Sequence, residues 1–101
     1  MTKAHSVDIK KSPKKDKKFR AIFKDRGGKI IKQTDFGAKG MSDYTIHKDK
    51  ERRARYRKRH KKDLDTKDFR RAGYLSYYVL WGDSSDLQTA IKDYKKRFKL
   101  K

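Results

Sequence analysis

The chain has no cysteine and only one proline among its 101 residues. Without thiols there can be no disulfide framework, no thiolate zinc site and no cysteine nucleophile, and the redox compartment is left open. Acidic residues are few: 13 Asp and Glu face 32 Lys and Arg, a formal net charge of +19. A compact chain carrying that surplus repels itself until counterions or an acidic partner offset it. Long apolar runs are missing too, and none approaches the roughly 20 residues of a membrane-spanning helix. Met1 to His5 contain no apolar stretch, so no secretory leader is expected. These absences predict a soluble chain, intracellular or packaged inside something made in the cell.

What is present is charge and aromatic surface. Hydrophobic residues make up 33% and charged residues 45% of the chain, a balance near that of disordered proteins. Six Tyr, five Phe and one Trp are enough to seed a core. The length suits one small domain.

Residues 1–18 predict a lysine-rich flexible tail, with Lys3, Lys10, Lys11, Lys14, Lys15, Lys17 and Lys18 against Asp8 and Asp16 and only Val7 and Ile9 as sizeable aliphatics. Lys10 to Lys15 would also suit nuclear import, as many basic stretches do. Residues 19–36 predict a β-hairpin, because Phe19, Ala21 and Phe23 alternate with Arg20, Ile22 and Lys24. Arg26-Gly27-Gly28-Lys29 supplies the turn, and Lys29 to Phe36 the return strand. A glycine-containing connector follows, in which Ser42 or Asp43 is placed to cap a short turn at Tyr44.

Three helices are expected next. Residues 48–62 contain no breaker and read as a helix that is polar nearly all round, ten Lys or Arg against Asp49 and Glu51, with a thin stripe of Ala54, Tyr56 and His60. Like charges at three- and four-residue spacings weaken such a helix when it is isolated. Residues 68–81 predict a buried helix, with Phe69, Ala72, Leu75 and Val79 on one face. Ser85-Asp86-Leu87-Gln88 reads as a capping box, followed by a stripe of Leu87, Ile91, Tyr94 and Phe98. The expected fold class is α+β: a β-hairpin packed on about three helices (19–101), preceded by the basic tail. Phe69, Leu75, Trp81, Leu87, Ile91, Tyr94 and Phe98 are assigned to its core.

The run Phe36-Gly37-Ala38-Lys39-Gly40-Met41-Ser42-Asp43-Tyr44-Thr45-Ile46-His47-Lys48-Asp49, with Glu51-Arg52, Arg59-His60-Lys61-Lys62, Leu80-Trp81 and Asp93 to Phe98, resembles a family of small basic proteins encoded by large double-stranded DNA viruses of algae and protists. The resemblance covers roughly residues 19–99. It departs at Asp63-Leu64-Asp65, where family members carry Asn-Trp, and at Tyr74-Leu75-Ser76, where they carry Ala-Leu-Ser. No reaction is attached to the family. The resemblance implies a viral protein.

The residues offer little for catalysis or metal binding. His47 and His60 lie 13 positions apart without the close ligand pairs of zinc sites. His47 suits a local hydrogen bond near a helix start, and His60 an extension of the basic face. Asp43, Asp49 and Glu51 sit among arginines that keep carboxylates ionised, which suits salt bridges better than acid–base work. Gly37 and Gly40 lack the Gly-Lys-Ser/Thr of a phosphate-binding loop. No cofactor is expected. The functional signal is the cation surplus, which exceeds what solubility requires. Its candidate contact residues are Lys14, Lys15, Lys17 and Lys18 in the tail and Arg52, Arg53, Arg55, Arg57 and Arg59 on the basic helix, since arginine forks grip phosphate and carboxylate alike.

Together these features predict a non-catalytic virion structural protein, a minor capsid or capsid-associated component. Its partners would be other capsid proteins with acidic surfaces, and it would reside in the virion, and in host cytoplasm or nucleus before assembly. The alternative is a viral DNA-condensing protein that binds nucleic acid without sequence preference, since no zinc finger, zipper or RNA-recognition signature is present.

Overall fold

A computed structural model describes residues 4–101. Its architecture is α+β, a three-stranded antiparallel sheet with short helices packed on one face. Strand β1 spans Ser6–Lys11, β2 Lys17–Lys24 and β3 Ile30–Ala38, in spatial order β1-β2-β3. The predicted hairpin is β2–β3. Its turn is closed by Asp25, whose carboxylate accepts the N–H groups of Gly27 and Lys29, and by Gly28 at φ 88°, a conformation that favours glycine.

The expected flexible tail is corrected over most of its described length. Residues 1–3, with Lys3, lie outside the described residues. Ser6–Lys11 forms β1, and Lys17 and Lys18 begin β2. Opposite β2 the register places Val7 on Phe23 and Ile9 on Ala21, so two aliphatics two residues apart were enough to define a face. Val7 is fully buried. The outer edge of β1 is also held: Val7 N–H donates to the Lys101 carbonyl, and Lys101 N–H to His5. The turn between β1 and β2 is fixed by buried Ser12, whose hydroxyl donates to Asp35 and accepts from Lys14 N–H. Asp35 also takes a two-pronged ion pair from Arg20, which holds its carboxyl down to about 2.

Phe19, Ala21, Phe23, Val7 and Phe36 share the inner face of the sheet, as the pairing register requires. Against them pack Leu75, Val79, Leu80, Trp81 and Tyr94. Of the expected core residues, Leu75, Trp81 and Tyr94 are buried, and Phe69, Leu87, Ile91 and Phe98 are half-buried against the same cluster. Tyr94 donates its hydroxyl to the Phe69 carbonyl.

The helices differ from expectation in their boundaries. Helix α1 (Tyr44–His47) is a single turn capped by Asp43, which accepts from Thr45 N–H at 2.9 Å. Lys48, at φ 57°, ends it and redirects the chain. The basic helix α2 spans Lys50–His60, with Asp49 as its cap accepting from Glu51 and Arg52. It continues as a 3₁₀ segment, Lys61–Thr66, which contains the departure at Asp63-Leu64-Asp65. The helix expected over 68–81 is instead α3 (Ala72–Leu75) followed by one π turn, Ser76–Leu80. Its i−5 bond, Trp81 N–H to the Ser76 carbonyl at 3.0 Å, widens the coil, and Leu75-Ser76 marks the change of pitch. Helix α4 spans Leu87–Arg97. Its cap is Asp86, which accepts from Thr89 N–H, and not Ser85 paired with Gln88. Both registers put a capping residue three before a polar one, and the carboxylate wins because its charge also suits the helix N-terminus.

Candidate polyanion-binding cleft

Helix α2 carries its arginines on two different sides, and the fold gives the two sets different tasks. Arg53 and Arg57 are four residues apart and point at the end of the π turn. Arg57 Nε donates to the Trp81 carbonyl and its Nη2 to the Asp83 carboxylate, both at 2.8 Å. Arg53 Nη1 reaches the Gly82 and Asp83 carbonyls at 3.4 and 3.2 Å, and its guanidinium lies 4.5 Å from the centre of the Tyr44 ring. The Arg57 guanidinium in turn holds the Asp83 carboxyl below its usual range. These two predicted contact residues are therefore anchors that tie α2 to the rest of the fold.

Arg52, Arg55 and Arg59 follow the three- and four-residue spacing of a single helix face, and all three line one cleft of about 710 Å³. Lys62, from the 3₁₀ segment, joins them. No carboxylate lies within ion-pair distance of these four among the described residues. The nearest acid in the lining is Asp43, which is already committed: it is buried, caps α1 and receives the Lys18 ammonium at 2.6 Å. Unpaired guanidiniums around a concave surface concentrate the positive potential where an anion can reach it.

Aromatic rings form one border of the cleft. Trp81 and Tyr56 stack with centres 4.3 Å apart and planes 7° from parallel, and Tyr56 stacks on His60 at 4.2 Å. His47 abuts the other end of this ladder, 5.2 Å from Trp81. Burial lifts the Tyr56 hydroxyl above its ordinary range, with the Asp63 charge adding to the effect. His47 Nδ1 accepts from Asp49 N–H at 2.8 Å, a local bond at the start of α2. His60 is not simply one more cation on the basic face: it is stacked on Tyr56, and its Nδ1 lies 3.1 Å from Asp63. Among the described residues no cluster of three or more His, Asp or Glu is placed to hold a metal ion, and no helix is long and apolar enough to cross a membrane.

The lysines predicted as tail contacts are divided as well. Lys18 is an inward-facing partner of Asp43 and cannot reach out to a ligand while so paired. Lys14 is exposed and makes a surface pair with Asp35 at 3.4 Å, worth little in stability. Lys15 is exposed in the β1–β2 turn, and Lys17 sits opposite Ala38, a residue of the cleft lining. Both therefore lie at the cleft's end of the sheet without belonging to its lining. Sequence reasoning missed the role of Lys62 and Trp81 at this site. The spacing of 52, 55, 59 and 62 against 53 and 57 was the available signal for separating the two arginine sets.

No curated protein and no solved structure matches the chain. A family model described as a family of unknown function (DUF5754) does match, over residues 7–60, a span that holds all of the sheet but its first residue, Ser6, together with the Asp43 cap and the arginines of α2. That is just over half of the sequence, and the chain belongs to this family.

Proposed function

We propose that this chain is a non-catalytic polyanion-binding protein whose ligand is the phosphate backbone of nucleic acid. The observation that carries the reading is the set Arg52, Arg55, Arg59 and Lys62, gathered in one cleft without carboxylate partners among the described residues. Guanidiniums suit phosphate because they present parallel N–H donors to two of its oxygens. The free energy of such binding comes largely from released counterions, so it is independent of sequence and falls steeply with salt. No zinc finger, zipper or RNA-recognition signature accompanies the cleft, so binding is expected to be without sequence preference.

The test is fluorescence anisotropy with labelled random-sequence DNA over a salt series. Four phosphate contacts correspond to a slope of log affinity on log salt of about −3 to −4. Replacing Arg52, Arg55, Arg59 and Lys62 by Gln is expected to flatten that slope by most of this amount. A wild-type chain that shows no binding at low salt would overturn the reading.

The second reading is a capsid-associated component, in which the same arginines dock on carboxylates of coat proteins. The sequence resemblance to viral proteins favours it. Most of the predicted lysine-rich tail lies in strands β1 and β2 and the turn between them, so in this reading docking falls to α2. Recovery of the protein in the outer layer of purified particles, together with weak DNA binding at physiological salt, would favour the coat role over the nucleic-acid role.

A further inference from the structure

The two sides of the cleft differ in chemistry, and the difference bears on the form of the ligand. On the α2 side stand the four cations. The sheet side contributes Gly37, Ala38 and Met41, and Met41 is 65% exposed, an apolar lip on a chain with few exposed hydrophobics. Lys18 and Asp43 cancel one another within the lining. The ring ladder of Trp81, Tyr56 and His60 borders the space between. Its inner rings are largely covered, whereas the His60 side chain is 40% exposed.

A duplex shows phosphates to a protein surface and keeps its bases stacked inside, so it has no use for an aromatic border or an apolar lip. One strand has both faces to offer: phosphates on one side and unstacked bases on the other. Proteins that hold single strands combine a cationic track with rings on which bases stack. From Arg52 to Lys62 the track runs ten residues, about 15 Å at the helical rise, at most about four nucleotides at the ~3.4 Å stacked rise of one strand and fewer where the bases unstack. A cleft near 710 Å³ has room for a short piece of one strand.

We infer that the cleft takes single-stranded nucleic acid in preference to duplex, with phosphates on Arg52, Arg55, Arg59 and Lys62 and a base stacked against the exposed side of His60, bounded by Met41. This rests on the phosphate-binding reading above and names its ligand more closely.

The experiment compares three labelled probes on the full chain at one salt concentration: a short mixed-sequence single strand, the same strand annealed to its complement, and an abasic strand of equal length. The expected result is at least about tenfold tighter binding of the base-bearing single strand than of the duplex. His60→Ala should weaken the base-bearing strand by about tenfold, the scale of one lost base stack, and leave the abasic strand unchanged. His60→Tyr should restore it. Met41→Glu, at an exposed position that does not threaten the fold, should weaken the single strand more than the duplex. Equal affinity for single strand and duplex, or equal loss for base-bearing and abasic strands in His60→Ala, would overturn this inference while leaving phosphate binding intact. Failure of all three probes to bind would overturn both.

Discussion

Two double substitutions on α2 remove the same charge and should have opposite consequences. Arg55→Gln with Arg59→Gln, and Arg53→Gln with Arg57→Gln, each take the net charge from +19 down by two. The first pair lines the cleft without internal partners. Losing two phosphate contacts should flatten the salt slope by about 1.4–1.8 and cost about 25- to 60-fold in affinity at 0.1 M salt. Its thermal midpoint should stay within about 2–4 °C of the parent, as for most exposed substitutions, or rise as self-repulsion falls. The second pair holds α2 onto the π turn through the carbonyls of Trp81, Gly82 and Asp83 and the ring of Tyr44. Hydrogen bonds from a charged donor contribute roughly 1.5–3 kcal/mol. The Asp83 carboxylate is 72% exposed and adds little after solvent screening. The loss should therefore be about 2–3 kcal/mol, a fall of roughly 10–20 °C for a domain of this size. Anisotropy titrations across salt, run well below the lower melting point, and thermal melts by circular dichroism read the two quantities separately. If both variants lose affinity and slope equally with unchanged melting points, the positive charge acts collectively and the division of α2 into anchors and contacts is wrong.

Three further outcomes follow from the packing. Asp35 has its carboxyl depressed to about 2 by Arg20, with Ser12 and Lys14 assisting; a depressed acid contributes stability that is fully present above its unfolded value near 4 and lost as pH falls towards 2, so Asp35→Asn should flatten the acid limb of a stability–pH profile in that window. Tyr94→Phe removes the hydroxyl that donates to the Phe69 carbonyl in the core and should cost about 1–2 kcal/mol in urea unfolding, with the fold otherwise retained. Gly82→Ala would place a Cβ 2.1 Å from the Tyr78 carbonyl oxygen, a contact the backbone must move to relieve; a loss of about 3 kcal/mol or more is expected, seen as a large fall in melting temperature, and a near-neutral result would show that the π turn is not packed as described.

Much of this fold was legible because its periodicities are local. Phe19, Ala21 and Phe23 announce a strand, Gly27-Gly28 its turn, and Leu87, Ile91, Tyr94 and Phe98 an amphipathic helix. Strand β1 was hidden because only Val7 and Ile9 stand out from a lysine-rich background, and its outer edge is held by Lys101 at the far end of the sequence. No local pattern reports a partner that distant. The π turn was hidden for another reason: Tyr74 to Trp81 is apolar on every side, so the period that separates one helical pitch from another has nothing to register on. At the site, the total charge was visible and its division was not. Which arginines are anchored depends on where the Trp81, Gly82 and Asp83 carbonyls end up, a tertiary fact.

That division bears on whether the surplus is merely a solvated face. Thirteen acids would suffice to lace α2 with compensating pairs at four-residue spacing. At least six have other tasks. Asp25 closes a turn, Asp49 and Asp86 cap helices, and Asp35, Asp43 and Asp68 pair with cations on or beside the sheet and the helices behind it. Glu51 is the one acid within the span of α2. A helix whose arginines only kept the protein in solution would gain from acids among them, since like charges at this density disfavour the helix itself. Leaving Arg52, Arg55 and Arg59 uncompensated has a cost in the isolated chain that is recovered when an anion enters the cleft, so binding should stiffen α2 as well as fill the site.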